Sequence, residues 1–543
     1  MNHAMKKIWK TVRGEREDRG ARGFAGRLLP VKNLLYVLFV LLFSVSSFAE
    51  IPWFEPGVVG EQLVGGEYEY SEITFVTGEP VRLKGTVKKD KPQSPLTAKN
   101  ASYKQGYTFN LVSEDGGIVI NRQIVFDVKL TRNEELGQIK VERKLAKFSE
   151  SITTPLGNFV LGKYTYNDSR IIDVRTAIAY TSGNAVLERT FYLDGNHLKN
   201  SGVLTVKSEI RPFIGYENKY SGNESAKIIH KYDFKPAKSE KSAEKPSETK
   251  DGGFGGSVET NLSSFEKTVF DYQYTDPQNI SFRGSFFLYR VQENVLEAKY
   301  DFLKEGKRKG ARERLNSRTT LSSEALTIPS LKDMGGHSAE HQVKLLMAMG
   351  ILDPGRSYFV PYATISRHDF AKAVYIAVKG ELPPPSKSEI IKRQRGKVEL
   401  PFLDVDYNHE DFHYIEAYKK VGLVYGRNKY LKPNEPITKA EALIILLRST
   451  GLDNVAPAPP YKTTFADDAQ IPEWCKDAFY MALEVGLIGG EDTNSIVIRT
   501  PNGVYAAPTS LLTKEEAAVL IERLIHHLNE TLVPDYREKI LKK

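Results

Sequence analysis

Residues 402–447 read FLDVDYNHEDFHYIEAYKKVGLVYGRNKYLKPNEPITKAEALIILL. The stretch opens on a hydrophobic-x-Asp step, Phe402-Leu403-Asp404, and continues as an amphipathic helical pattern that stops at Gly422. A glycine there suits the left-handed residue that closes a helix. A loop then reaches Leu431-Lys432-Pro433, and a second helix begins at Ile437-Thr438-Lys439-Ala440-Glu441. A hydroxyl residue followed three positions later by Glu is a capping-box pattern, in which each side chain bonds the other residue's amide.

The same order recurs on both sides. Upstream stand Leu331-Lys332-Asp333, Gly350, Phe359-Val360-Pro361 and Ile365-Ser366-Arg367-His368-Asp369. Downstream stand Phe465-Ala466-Asp467, Gly486, Ala506-Ala507-Pro508 and Leu512-Thr513-Lys514-Glu515-Glu516. The box acid is Glu in two units and Asp369 in the first. Such self-similarity marks a repeat architecture, with units expected at 328–380, 400–452 and 463–530. Arg367, Lys439 and Lys514 each follow the capping residue directly. The amides and dipole of a helix start already favour an anion, and a cation added there makes a pocket for a carboxylate. Asp333, Asp404 and Asp467 could cap the first helix of each unit or contact a ligand.

These motifs resemble the S-layer homology (SLH) domain, a module that holds bacterial surface proteins to the cell wall. The resemblance covers about residues 328–530. It implies an α-helical triplet with pseudo-threefold symmetry that binds secondary cell-wall polysaccharide, often pyruvylated, in grooves between units. It places the protein outside the cell, at the wall or in an S-layer, with self-association in that layer as a further expectation. The polysaccharide-binding candidates are Asp333, Arg367, Asp404, Lys439, Asp467, Trp474 and Lys514. The family expects a tryptophan at the start of each first helix. Trp474 meets this in the third unit, while Ser338 and Glu410 depart from it, and the third unit carries an insertion at 491–500.

Ahead of the repeats, residues 50–303 alternate with period two. Ile124, Phe126, Val128 and Leu130 are interleaved with Val125, Asp127, Lys129 and Thr131, as a half-buried strand requires. Runs at 170–180 and 185–193 flank Thr181-Ser182-Gly183-Asn184, a hairpin pattern, and further strands are expected at 203–210, 265–274 and 281–291. The expected class is therefore an antiparallel all-β ectodomain, a sandwich or a curved meander, followed by the helical triplet. Residues 235–257 hold too little apolar surface to fold alone and read as a flexible loop or linker that could divide the β region. Residues 304–327, rich in Lys and Arg, read as a solvated linker.

Charge and composition narrow the partners. The 543 residues are 41% hydrophobic and carry a formal charge of +8. Nine Lys/Arg and three Asp/Glu fall within residues 1–33, a local +6, which leaves 8 − 6 = +2 for the rest. The basicity belongs to a leader, so nucleic acid is not an expected partner. An apolar run at 34–45 and small residues at Ser47-Phe48-Ala49 read as a signal peptide spanning 1–49, the protein's one membrane contact, with an uncleaved anchor as the alternative. One cysteine, Cys475, excludes an internal disulfide framework and reads as a small packed residue.

His409-Glu410-Asp411-Phe412-His413 matches the His-Glu-x-x-His zinc pattern, yet it falls at the start of a first helix, where the first unit has His337 and His341 without the Glu. No metal or cofactor is expected, and no enzyme activity. The alternative places a polysaccharide-active enzyme or a carbohydrate-binding site in the β-rich region, since all-β folds can carry paired catalytic carboxylates.

Overall fold

The period-two segments pair in chain order into one antiparallel sheet of 13 strands. The computed structural model describes residues 54–531 apart from 64, 91–99, 134–135, 238–251, 274–284, 354, 356, 427–428, 455, 457–458 and 490–495. The expected leader at 1–49 lies outside the described residues. The strands are β1 (Gly57–Gln62), β2 (Glu67–Thr74), β3 (Val81–Lys89), β4 (Asn100–Ser113), β5 (Val119–Asn133), β6 (Gln138–Thr154) and β7 (Gly157–Val174). They continue as β8 (Ile178–Leu193), β9 (Gly202–Asn218), β10 (Ser221–Pro236), β11 (Phe254–Gln273), β12 (Ser285–Lys304) and β13 (Lys307–Leu326). Of the two alternatives, this is the curved meander. The sheet curls until β1 lies against β13, where the Val59 carbonyl accepts from Asn294 Nδ2 at 2.9 Å and Ser317 Oγ at 2.5 Å.

Two expectations are corrected, and one open alternative is decided. Residues 304–327 are not a linker: Glu305 and Gly306, with φ of 50° and 74°, form a two-residue turn, and β13 pairs along β12 from Lys307 onward. Positive φ at both positions matches the twist of a tight hairpin. Residues 181–184 are not a turn either; Thr181, Ser182 and Gly183 pair with Ile172, Ile171 and Arg170 inside β8, and a bulge on the β9 side follows Gly183. A Cβ on Gly183 would lie 2.5 Å from the Ser169 carbonyl, so the glycine permits close approach of strands rather than chain reversal. Finally, β10 and β11 pair directly from Ser221 to Phe254, so the polar stretch between them does not divide the sheet; residues 238–251 of it lie outside the described residues.

The inner face is filled by large side chains, among them Phe75, Phe109, Phe126, Phe159 and Phe191. Charges also sit inside it. Arg122 holds Glu72 through two bonds, 2.8 and 3.0 Å, and Glu150 at 2.7 Å; Arg189 holds Glu150 at 3.1 Å and also pairs with Glu55. Three carboxylates face two guanidiniums. Burial pushes Glu72 up against the pull of Arg122, whereas at Glu55 the pull of Arg189 and its neighbours outweighs burial and keeps it below the usual range.

Seven α-helices are described after the sheet: α1 (Glu340–Ala348), α2 (Arg367–Lys379), α3 (Lys387–Gln394), α4 (Phe412–Lys420), α5 (Lys439–Thr450), α6 (Glu473–Glu484) and α7 (Lys514–His526). Gly350, Gly422 and Gly486 close α1, α4 and α6 with φ of 70–74°, the left-handed ending expected of them. The turns of the sheet also bond carbonyls at helix ends. Tyr220 Oη donates to the Ala377 carbonyl at 2.7 Å, Thr176 Oγ1 to Val421 at 3.0 Å and Ser221 Oγ to Leu528 at 2.6 Å. Ala177, Ile178, Ile214 and Tyr216 join the helices in one apolar core.

Candidate functional site

The three segments before α2, α5 and α7 interlock as a closed ring. The Ile365 amide donates to the Leu512 carbonyl at 3.1 Å, Leu512 to Ile437 at 2.9 Å, and Ile437 back to Ile365 at 3.1 Å. Each unit thus contacts the other two through equivalent atoms.

The three aspartates are equivalent as well, and each spends both carboxylate oxygens on the backbone of its own unit's loop. Asp333 accepts from the Phe359 and Val360 amides (2.9 and 2.6 Å), Asp404 from Leu431 and Lys432 (2.9 and 2.6 Å), and Asp467 from Ala506 and Ala507 (2.7 and 2.8 Å). The second residue of each pair, Val360, Lys432 or Ala507, precedes a proline and has φ of 57°, 57° or 47°. A non-glycine residue held left-handed costs about 1–2 kcal/mol, and a carboxylate that binds its amide offsets that cost. Both oxygens are therefore committed to the loop.

The helix starts also differ from the expected anion hole. Their first amides donate across the interface: Arg367 to Glu435, Lys439 to Ser510 and Lys514 to Ala363, at 2.8–2.9 Å. The second amides, of His368, Ala440 and Glu515, donate to the carbonyls of Pro433, Pro508 and Pro361, each at 3.1 Å. The third amides bond the caps Ser366, Thr438 and Thr513. The neighbouring unit, not a solvent anion, satisfies the helix start.

What remains is the side-chain cation, and here the units diverge. Arg367 pairs with Glu441 at 2.6 Å and donates to the Leu431 carbonyl at 3.0 Å. Lys439 is buried, pairs with Glu516 at 2.8 Å and donates to the carbonyl of Ile496 at 2.6 Å. Ile496 belongs to the insertion, and its carbonyl covers the Lys439 ammonium group. Glu441 and Glu516 each do two things: Oε2 accepts from the cap residue's amide, at 3.1 and 2.9 Å, while Oε1 takes the neighbour's cation. Asp369, one methylene shorter, does neither; α2 has a cap but no box, and among the described residues Lys514 has no ion pair.

Other side chains line the interfaces. Beside Lys514, His337 Nε2 lies 3.0 Å from Glu515 Oε2 and its ring packs 5.5 Å from Tyr362, which is 73% exposed. Between the first two units His368 bridges Asp411 (3.0 Å) and Tyr418 (3.2 Å), and Lys372 binds the same Asp411 at 2.7 Å. Burial alone would raise Asp411; these two partners hold it well below the ordinary carboxylate range. His409 packs on His368, and among the described residues no three His, Cys, Asp or Glu side chains are placed to hold a metal. Trp474 is 60% exposed and borders a cleft of about 140 Å³ lined by Ile444, Arg448, Asp453, Asp477 and Met481. Cys475 is buried, its thiol pushed up to about 11.

The seven residues expected to bind glycan are therefore not gathered in one place. The three aspartates support loops, two cations are neutralised, and Lys514 and Trp474 lie open at different interfaces. Tyr362 and the cover from Ile496 were not foreseen; the one legible sign was Asp in place of Glu at 369.

Comparison with known proteins places the middle unit. Residues 401–443 match the S-layer homology domain. In the same region the chain is similar to an exoglucanase, XynX, of Acetivibrio thermocellus, 31% identical over 121 residues, 21% of this chain and 10% of that protein. It is also similar to an amylopullulanase of Thermoanaerobacterium thermosulfurigenes, 32% identical over 117 residues, 20% of this chain and 6% of that protein. Both similarities leave nine-tenths or more of the relative unmatched. Residues 401–443 form an S-layer homology domain.

Proposed function

We propose that this protein is exported through its leader and held non-covalently at the bacterial cell wall. Residues 328–530 act as a triplet of S-layer homology units that binds secondary cell-wall polysaccharide, pyruvylated or otherwise acidic. The single observation that carries this reading is the ring closed by Ile365, Ile437 and Leu512, because it gives the segments flanking the matched domain the same geometry as that domain. Lateral self-association in a surface layer belongs to the same reading, as the resemblance implies.

The β sheet is the displayed module, structural or adhesive rather than catalytic. Its inner face is packed with aromatic rings, and Glu55, Glu72 and Glu150 are fully buried against Arg122 and Arg189, where no glycosidic bond could reach them. Hydrolase activity of the named relatives is not carried over, since the β sheet has no counterpart in the matched regions.

The test is co-sedimentation of the full chain with wall sacculi before and after acid extraction of the polysaccharide. Binding to intact sacculi that disappears on extraction is expected. Equal pelleting with extracted sacculi would sink the anchoring reading.

A further inference from the structure

The three interfaces are equivalent in backbone and unequal in charge. At the first-to-second interface, the Arg367 guanidinium is already bound by Glu441 and the Leu431 carbonyl. At the second-to-third interface, Lys439 is buried beneath Ile496 and neutralised by Glu516. At the third-to-first interface Asp369 is too short to repeat the pair, and among the described residues Lys514, partly exposed, has no ion pair.

The same interface differs in a second, independent way. The residue between the two carbonyls that receive the helix amides is Asn434 at the first interface and Thr509 at the second. At the third it is Tyr362, 73% exposed and steadied from one side by the His337 ring, which Glu515 holds in turn. An exposed ring packed on one side by His337, at the same interface as a cation with no ion pair among the described residues, suits a pyranose that carries a carboxylate. The C–H face of the sugar covers the ring and the acid meets the ammonium group.

We infer that the chain has one competent site for an acidic sugar, at the third-to-first interface, with Lys514 as its anion-binding residue and Tyr362 as its stacking platform. This rests on the anchoring reading and narrows it. The site is not a helix-terminus anion hole, because every amide of the first turn is taken by the protein.

Calorimetric titration of the full chain tests the assignment, with a methyl hexoside bearing a 4,6-linked pyruvyl ketal as the probe and the unketalised glycoside as the control. One site per chain is expected, with no measurable heat from the control. Tyr362→Ala should weaken binding about tenfold, the scale of one aromatic contact. Asp369→Glu should weaken it about fivefold by giving Lys514 the partner the other cations have, the scale of a partly exposed ion pair. Because Glu completes the capping box, that variant should be at least as stable as the parent, so lost binding is not lost folding. Thr509→Ala, at the matching position of the second-to-third interface, should bind like the parent. Two or three sites per chain, or full affinity in both Tyr362→Ala and Asp369→Glu, would overturn the assignment while leaving the anchoring reading in place. No binding by the parent chain, together with no binding to sacculi, would overturn both.

Discussion

The aspartates show how a residue's role can be legible in position and not in kind. Sequence placed Asp333, Asp404 and Asp467 at equivalent points but left capping and ligand contact open. The structure instead gives each carboxylate two backbone amides 26–28 residues away in two units and 39–40 away in the third. No local pattern announces a contact of that span. Removing Asp404 takes this partner from the amide of buried Leu431 and from that of exposed Lys432, and leaves a left-handed residue unsupported. Asp404→Ala is expected to destabilise the chain by about 2–4 kcal/mol, read as a shift in its denaturation midpoint. A loss under about 0.5 kcal/mol would show that the loop holds its own shape. The lysines teach the converse. Three cations in register looked alike, yet whether each is free depends on an acid one unit away, and only Asp369 hinted at the difference.

Among the elements, alternation found the sheet but not its edges or its seams. β13 was read as a connector because its outward positions are Arg308, Arg312, Arg314 and Arg318, while its inward ones, Leu315, Ser317 and Thr319, are few and mostly small. An outer face in water tolerates that composition, and the pairing with β12 decides the conformation. The sheet has one seam that sequence gives no sign of. β6 and β7 pair at Gln138–Val141 with Arg170–Asp173 and again at Ser151–Thr154 with Gly157–Val160, but not between. Residues 142–150 and 161–169 face each other without ladder bonds. Side chains bridge the gap instead: Arg143 to Asp168 at 2.7 Å, and Phe148 against Tyr164 at 5.5 Å. Amides of β6 in this stretch that point toward β7 should exchange with deuterium at least tenfold faster than those that point toward β5, because opening the seam breaks no backbone bond. Uniform protection across β6 would contradict this.

At the scale of the whole molecule, the sheet and the helices are not beads on a tether. Hairpin turns at Thr176 and Tyr220 cap the C-terminal ends of helices, and Asn529 exchanges two bonds with Thr268 of β11 at 3.0 and 2.6 Å. If the helical region grips the wall as proposed, these contacts fix the orientation of the sheet rather than leaving it to swing. These contacts join residues more than 150 positions apart, which is why composition suggested separable domains and a linker between them. Acidic sugar, and not the wall as a whole, is what we propose the helical region holds. Equilibrium binding of the full chain to purified wall polysaccharide, intact and after mild acid removal of its pyruvyl ketals, tests this most directly. Affinity is expected to fall at least about tenfold on removal, the loss of one charge-assisted contact, and to weaken with added salt in the intact polymer alone. Unchanged affinity after removal would contradict it.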